Sequence, residues 1–288
     1  MNILLTGASG FIGQNIARAL AAAGHQVKPA SRNNGVDFCR MLSPADWLPC
    51  LEGIDAVVNS VGIIGESAGQ RFEPIHSRAP AALFHACLQA GVRRVVQISA
   101  LGTDDSAFSA YHLSKRKADD CLRSLDLDWF VLRPSLIYGR GGKSAELLMR
   151  LARLPLIPVI GDGRQALQPV HISDVVATVI ASLISPETKQ TLDIVGRETV
   201  TFAAWLRKMR QAQGLPDTGK LGIPYPLGMA FACLGRHFNP LLQPEVLRML
   251  QTGYWADFEP LARFLGRLPW PFEPALFLSN VAPTGKPS

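Results

Sequence analysis

Short apolar runs alternate with longer segments of helical periodicity through the first two thirds of the chain. The apolar runs occupy residues 2–5, 27–30, 55–62, 94–99 and 129–134. The segments between them, at 14–22, 79–90 and 111–125, repeat apolar positions every three to four residues, which is typical of helices that pack on one face. Strands that alternate with helices in this way predict an α/β fold with a parallel, doubly wound sheet.

The pattern changes after about Gly139. Prolines and glycines interrupt the next thirty residues, a helix is predicted at 173–183, and another at 202–213 is followed by a Pro/Gly-rich tract at 215–228. We therefore expect a first domain at 1–195, with 140–170 partly in the second. The second domain, 196–288, is expected to be a smaller and mostly helical lobe for substrate or interaction. In open α/β sheets ligands bind at the carboxyl ends of the strands, so the lobe is expected to cover that edge.

A glycine-rich turn joins the first strand to the first helix. Gly7 permits a sharp turn, Gly10 lets the backbone approach a phosphate, and Gly13 lets the helix pack close to the sheet. Unpaired N–H groups at the helix N-terminus then attract the pyrophosphate. The turn predicts a dinucleotide-binding domain of the Rossmann type. The alternative is a glycine-rich turn that binds nothing.

A tyrosine and a lysine lie four residues apart on one predicted helix. Tyr111 and Lys115 share a helix face. An ammonium beside a phenol favours the phenolate and is expected to lower the tyrosine pKa toward working pH, so that the phenol can exchange a proton with a substrate hydroxyl or carbonyl. Ser99 ends the preceding strand, where its hydroxyl could orient the same substrate oxygen. The alternative is a solvated tyrosine and lysine on an exposed helix.

Composition and charge exclude several classes of protein. Of the 288 residues, 48% are hydrophobic and 18% are charged, which argues against disorder. The net charge of +6 is mild, and the densest basic stretch, 115–117, lies inside a predicted helix, so no nucleic-acid partner is expected. Five widely spaced cysteines with no metal-ligand spacing predict buried thiols in a reducing compartment and no metal.

The chain shows no sign of a targeting or membrane-spanning segment. It begins directly with a strand, which leaves no room for a cleaved signal peptide. The longest apolar stretches, 175–184 and 227–234, are shorter than the roughly 18 residues needed to span a bilayer. We expect a soluble, cytoplasmic protein that associates with a membrane at most peripherally.

Taken together, these motifs resemble the extended or atypical short-chain dehydrogenase/reductases. The residues that carry the resemblance are 6–13, Asp55 with 59–62, Ser99, Tyr111 with Lys115, 133–139 and 171–175. Within that superfamily, residues 161–163, 168–171 and the helical tail are similar to the group that includes an accessory subunit of respiratory complex I. The resemblance covers residues 1 to about 184.

The resemblance implies a role for each matching residue. Tyr111 would be the acid/base, Lys115 would also hold the nicotinamide ribose, and Ser99 would polarise the reacting oxygen. The residues implied in cofactor binding are Gly7, Ser9, Gly10, Phe11, Ile12, Gly13, Ser31, Arg32, Val61, Gly62, Tyr111, Lys115, Pro134 and Ile137.

The chain departs from the family pattern in three places. One is Met41-Leu42, which stands where relatives usually have an Asp-Leu pair near the adenine, with Asp37 nearby but out of register. No acidic residue follows the second strand, where relatives that use NAD bind the adenosine ribose, and Ser31 and Arg32 stand there instead. Arg32 could pair with a 2′-phosphate, which favours NADP, or merely stack on adenine, in which case either cofactor binds. His76 stands near the position of an asparagine that supports a proton relay in many relatives, and we interpret it as structural.

The sequence therefore predicts an NAD(P)-dependent oxidoreductase that transfers hydride at a carbonyl or hydroxyl carbon. One alternative is an epimerase or dehydratase acting on a nucleotide-linked sugar. The lobe, rich in leucine, proline and aromatics, favours a smaller or more apolar substrate. Another alternative is a non-catalytic, cofactor-holding structural or assembly subunit. The sequence indicates neither the substrate nor the oligomeric state.

Overall fold

The computed structural model describes residues 1–235, 242–273 and 276–277. The chain forms two compact units. The first unit comprises Met1–Pro134 and Val175–Ile194, and the second comprises Ser135–Asp174 and Val195–Ser288.

The strands of the two units are β1 Asn2–Thr6, β2 Gln26–Ala30, β3 Ala56–Asn59, β4 Arg94–Ile98, β5 Asp128–Pro134, β6 Ile137–Tyr138, β7 Ile157–Ile160, β8 Ala166–Leu167, β9 Val170–His171, β10 Gln190–Ile194, β11 Val200–Thr201 and β12 Lys220–Ile223. The α-helices are α1 Phe11–Ala22, α2 Pro44–Trp47, α3 Ala79–Ala90, α4 Ala110–Ser124, α5 Lys143–Ala152, α6 Ile172–Ile184, α7 Phe202–Ala212, α8 Tyr225–Gly235, α9 Pro244–Thr252 and α10 Glu259–Leu265. A π-helix, Glu73–Arg78, directly precedes α3.

A six-stranded parallel sheet forms the centre of the first unit. Its strand order is β10-β5-β4-β3-β1-β2, which confirms the predicted α/β fold of the doubly wound, Rossmann type. Thr6, the last residue of β1, pairs with Ala30 of β2 and with Asn59 of β3. Because these strands end in register, the segments that follow them leave the sheet side by side at one edge.

The strands are apolar because helices cover both faces of a parallel sheet. Ile3, Leu4 and Leu5 of β1 are fully buried. The largest buried side chains of the layer that packs against the sheet include Trp47 and Phe84. This core holds the sheet rigid, so the segments at its edge have fixed positions.

The second unit packs helices around short strand pairs. Its strands form the pairs β6–β9, β7–β12 and β8–β11. Its core contains Tyr138, Trp205 and Phe272, and the Tyr138 and Phe272 rings meet edge to face at 5.4 Å. Asp174, at the start of α6, is fully buried, accepts a hydrogen bond from the Trp270 backbone N–H at 2.9 Å and pairs with Arg267 at 2.7 Å.

The Pro/Gly-rich tract at 215–228 contains a strand and the start of a helix. β12 lies inside it because Lys220–Ile223 finds a partner strand in β7, a pairing that local sequence does not reveal. The first residues of α8 also fall within it. Pro226 occupies the first turn of that helix, where the missing N–H of proline costs no hydrogen bond.

Within the described residues, no helix combines the length and the apolarity needed to cross a bilayer. The five cysteines are free thiols. The prediction that they are buried is wrong for all but Cys87, since three are half-buried and Cys233 is exposed.

Candidate functional site

The glycine turn after β1 has no room for side chains. Gly7 has a φ of +68°, and a Cβ there would lie 2.9 Å from the backbone of Ser60. A Cβ on Gly13 would lie 2.2 Å from the carbonyl oxygen of Gly7. The turn and the first turn of α1 are therefore in direct backbone contact, as a phosphate-binding turn requires.

The N-terminus of α1 is open to an anion. Gly10 is the N-cap residue and offers no side-chain cap, and the first turn of the helix contains no acidic residue. Phe11 and Ile12 begin the helix, and Ser9 directly before the cap is exposed. Backbone N–H groups at such a terminus lack partners within the helix and carry its positive dipole. The residues present fit a dinucleotide pyrophosphate.

Two of the predicted cofactor residues follow β2 beside this turn. The Gly7 N–H donates to the carbonyl of Ala30 at 3.0 Å, which fixes the end of β2 against the glycine turn. Ser31 is buried and its hydroxyl donates to Asn34 at 2.9 Å. Arg32 starts a short 3-10 helix and is exposed. Its guanidinium is therefore accessible at the edge that carries the glycine turn.

A row of buried polar side chains crosses the same edge of the sheet. The Thr6 hydroxyl donates to the Asn59 side-chain oxygen, and the Asn59 amide donates to Gln97 at 2.7 Å. Asn59 also accepts the Val61 backbone N–H at 3.4 Å. Sequence reasoning missed this row, although a polar residue at or near the end of each of three apolar strands could have indicated it. The row fixes the strand ends and the segment that contains Val61.

Tyr111 and Lys115 lie one turn apart near the start of α4. Ser109 caps this helix by accepting the His112 N–H at 3.1 Å. The Lys115 ammonium is buried and donates to the carbonyl of Ile98, the last residue of β4, at 3.0 Å. It lies 5.9 Å from the centre of the Tyr111 ring. A Cβ on Gly62 would be 3.5 Å from the same Nζ atom, so the predicted ribose-binding segment passes beside the lysine.

The surroundings of these two side chains alter their proton affinities. Burial lowers the pKa of Lys115 to about 8, although the carboxylate of Asp119 opposes that shift. Burial raises the pKa of Tyr111, and Asp119 adds to the effect. The phenol is therefore protonated at neutral pH. The prediction that Lys115 lowers the pKa of this tyrosine toward neutral is wrong, because burial and the Asp119 carboxylate raise it.

His76 lies on the π-helix against the tyrosine. Its ring centre is 5.4 Å from that of Tyr111 and its Nε2 accepts the Ile63 N–H at 3.0 Å. A neutral ring then carries its proton on Nδ1, which contacts the Ser114 hydroxyl at 3.0 Å. Burial and the nearby Lys115 hold the pKa of His76 well below its usual value. These contacts tie the segment after β3 to α4, in agreement with a structural role.

Ser99 follows the last residue of β4 and is buried. Its hydroxyl donates to the Asp119 carboxylate and lies 3.1 Å from the Thr103 hydroxyl. Its predicted action on the substrate oxygen stays a prediction. Sequence reasoning missed Asp119, whose signal is its position one further turn along the helix face that carries Tyr111 and Lys115.

The two remaining predicted cofactor residues belong to different units. Pro134 ends β5 in the first unit, and its carbonyl accepts the Leu101 N–H at 2.9 Å. Ile137 lies in β6 of the second unit and pairs with Val170 of β9. Among the described residues, no group of three or more potential ligands could hold a metal ion.

The parallel sheet with its open glycine turn defines a Rossmann-type α/β protein. Residues 3–195 match the model of the NAD dependent epimerase/dehydratase family, and the chain belongs to that family. This confirms the resemblance to the short-chain dehydrogenase/reductases.

The chain is similar both to a reductase and to a subunit of NADH dehydrogenase. The chain is 27% identical over 239 residues to a ceramide reductase of Caulobacter vibrioides, covering 76% of this chain and 75% of that one. It is 24% identical over 256 residues to a mouse mitochondrial protein, NADH dehydrogenase [ubiquinone] 1 alpha subcomplex subunit 9, covering 81% of this chain and 66% of the relative.

Solved structures share the fold. The dTDP-glucose 4,6-dehydratase of Bacillus anthracis, solved in complex with NAD, superposes with a TM-score of 0.72 at 17% identity, over 97% of this chain and 95% of that one.

Proposed function

We propose that this protein is an NADP(H)-linked oxidoreductase that reduces a carbonyl, or oxidises the corresponding hydroxyl, on a small apolar substrate. The observation that carries the proposal is the pairing of Tyr111 with a buried Lys115. The lysine also lies beside Gly62, on the sheet edge that carries the glycine turn.

The nicotinamide cofactor, when bound, supplies or accepts the hydride. Gly7 and Gly13 permit the close backbone contacts that shape the turn, and the Phe11 and Ile12 N–H groups would bind the pyrophosphate of the cofactor. Tyr111 gives its phenolic proton to the substrate oxygen during reduction and removes a proton during oxidation. Because its raised pKa makes the phenol a weaker acid, this donation depends on stabilisation of the phenolate that forms.

Lys115 has two roles in this proposal. Its ammonium favours the phenolate that Tyr111 becomes once it has given up its proton, because opposite charges stabilise each other in a buried setting. The same group would donate to the ribose hydroxyls. Its hydrogen bond to the Ile98 carbonyl fixes its position beside Tyr111.

The preference for NADP rests on the segment after β2. Arg32 is exposed there and no carboxylate follows the strand directly, so a guanidinium can meet the 2′-phosphate in its two-point geometry. The nearest acidic residue along the chain, Asp37, is held by the Cys39 N–H at 3.0 Å.

The substrate class is inferred from the second unit and from one relative. Exposed apolar side chains of that unit include Leu227, Phe231 and Trp255. One relative, at 27% identity, is a ceramide reductase, and a ceramide is a lipid rather than a sugar nucleotide. Both observations favour an apolar carbonyl compound over a nucleotide-linked sugar.

The test is Tyr111→Phe, with Tyr225→Phe on the exposed start of α8 as the matched control. NADPH oxidation is followed with a panel of medium- and long-chain ketones, and with UDP-glucose and dTDP-glucose as sugar-nucleotide probes. Tyr111→Phe should lose turnover by about 100-fold or more and keep NADPH binding, since proton transfer by a positioned side chain contributes that much. The control should keep both.

Unchanged turnover in Tyr111→Phe would overturn the proposal. Conversion of a sugar nucleotide without net NADPH oxidation would favour an epimerase or dehydratase. NADPH binding without turnover, together with stoichiometric recovery of respiratory complex components in a pull-down, would favour the structural subunit.

A further inference from the structure

Three polar side chains form a buried cluster behind the proposed site. Ser99, Thr103 and Asp119 expose 3%, 1% and 0% of their surface. The Ser99 hydroxyl donates to Oδ2 of Asp119, and Thr103 lies 3.1 Å from Ser99 and donates to the Ala100 carbonyl at 2.9 Å. The Asp119 carboxylate is therefore held in one orientation.

The hydrogen bond to Asp119 decides what Ser99 can do. A serine hydroxyl has one proton, and an ionised carboxylate can only accept. While Asp119 is charged, the Ser99 proton is committed to it and cannot also be donated to a substrate carbonyl. A direct action of Ser99 on the substrate would leave this buried carboxylate without its donor, which is costly.

Asp119 is itself incompletely satisfied. Its Oδ1 atom has no hydrogen-bond partner among the described residues. Burial raises the pKa of Asp119 to about 6, while the Ser99 hydrogen bond and the charges of Lys115 and Arg123 act in the opposite direction. A buried carboxylate of this kind is stable only with positive charge nearby.

Lys115 lies one helical turn from Asp119 on the same face of α4. The charged or titratable groups that face Lys115 are Asp119, Tyr111 and His112 on α4 and His76 on the π-helix. Burial holds both imidazoles neutral by lowering their pKa values, to about 4 for His112. Asp119 is thus the member of this set that supplies negative charge.

We propose, on the basis of the function proposed above, that Asp119 is a positioning residue that keeps the buried Lys115 ammonium charged, and that Ser99 acts through Asp119 rather than on the substrate. In this arrangement the positive charge that Lys115 holds beside Tyr111 and the cofactor ribose depends on the Asp119 carboxylate, which lies behind the site.

The test compares Asp119→Asn with Asp120→Asn. Asp120 is the adjacent residue, exposed and paired with Arg123 at 2.8 Å, so it reports the effect of removing a surface carboxylate from the same helix. NADPH affinity is measured by fluorescence between pH 6 and 10. Wild type should lose affinity as Lys115 deprotonates near pH 8, and Asp119→Asn should lose it at a pH about one unit lower, because a nearby opposite charge shifts a pKa by that order. Asp120→Asn should match wild type.

A second readout requires no cofactor. The free energy of unfolding in urea, measured from pH 6 to 10, depends on the Lys115 pKa because that pKa differs between the folded and the unfolded chain. Asp119→Asn should shift this pH dependence to lower pH as well. Coincident profiles for Asp119→Asn and wild type in both measurements would overturn the proposal. If NADPH binds neither to wild type nor to the variants, the proposed function fails, and the unfolding profiles still decide the role of Asp119.

Ser99→Ala removes the donor and tests the second half of the proposal, including the case in which Asp119→Asn does not fold. It should reduce NADPH affinity at pH 8 several-fold and shift the affinity profile toward that of Asp119→Asn. A 100-fold loss of turnover with an unchanged affinity profile would instead assign Ser99 to the substrate and overturn the inference.

Discussion

A Cβ atom on Gly13 would lie 2.2 Å from the carbonyl oxygen of Gly7, far inside any permitted contact. The neighbouring atoms are backbone, so they cannot turn aside as a side chain would. Gly13→Ala must therefore displace the first turn of α1 from the glycine turn. We expect a loss of about 1–3 kcal/mol in the free energy of unfolding, as for other overpacked positions, and a loss of stabilisation by NADPH.

Gly69→Ala is the matched control for this prediction. A Cβ on Gly69 would meet no atom within 4 Å, and its φ is not in the left-handed region. It should change neither urea unfolding nor the NADPH-induced shift in Tm. Equal behaviour of the two variants would show that the close approach of Gly7 and Gly13 is not needed for binding.

Arg32→Ala tests the choice of cofactor. Loss of a charge-assisted pair with the 2′-phosphate should weaken NADPH binding by about 10- to 100-fold, which corresponds to roughly 1.5–3 kcal/mol. NADH affinity should change little, because NADH lacks that phosphate. Arg18→Ala, an exposed arginine of α1, is the control. The measurement is thermal shift with each nucleotide, and a parallel loss for NADPH and NADH would mean that Arg32 stacks on adenine instead.

The sequence was most informative where local chemistry and fold coincide. The helix predicted at 79–90 has the observed bounds of α3, because Gly91 adopts a left-handed φ of +73° and ends it. The strand predicted at 94–99 lacks only Ser99 in the structure. The glycine turn could also be predicted from the sequence, because only glycine fits such close backbone contacts.

Tertiary partners explain what the sequence did not reveal. β12 depends on its pairing with β7, and the π-helix Glu73–Arg78 has no periodic signature of its own. The partner of Ser99 could not be predicted either. Serine at a strand end is compatible with a substrate contact or a buried contact, and only the packing of α4 against β4 brings Asp119 to it.

Lys115 should give the protein an unusual dependence of stability on pH. Its pKa of about 8 in the folded chain lies below the ordinary lysine value, so the unfolded chain binds more protons between pH 8 and about 10. The contribution of Lys115 to stability therefore rises with pH in that window. The rise attributable to this group should be about 2–3 kcal/mol, from the size of the shift.

Lys115→Met should remove that rise in urea unfolding measured from pH 7 to 10. Lys117→Met, whose exposed ammonium pairs with Glu73 at 3.0 Å, should retain it. Profiles of wild type and Lys115→Met that run parallel from pH 8 to 10 would mean that Lys115 is not destabilised by burial. The comparison is needed because buried thiols such as Cys87, whose pKa is raised to about 12, lower stability over the same window in both proteins.

Arg267 is predicted to hold the carboxylate of Asp174 in the core of the second unit. The two side chains pair at 2.7 Å, with Asp174 fully buried, and burial raises the pKa of that carboxyl. Arg267→Met leaves a buried charge without its cation, which typically costs about 3–5 kcal/mol. The loss should be smaller at pH 5 than at pH 8, because Asp174 in the variant can take up a proton as the pH falls.

Arg263→Met, which breaks an exposed pair with Glu259 at 3.6 Å, should cost less than about 1 kcal/mol at either pH. Urea unfolding followed by tryptophan fluorescence measures both variants, since the Arg267 guanidinium lies 5.5 Å from the Trp270 ring. Equal losses in the two variants, or a loss in Arg267→Met that does not depend on pH, would assign the stability of this region to its apolar packing alone.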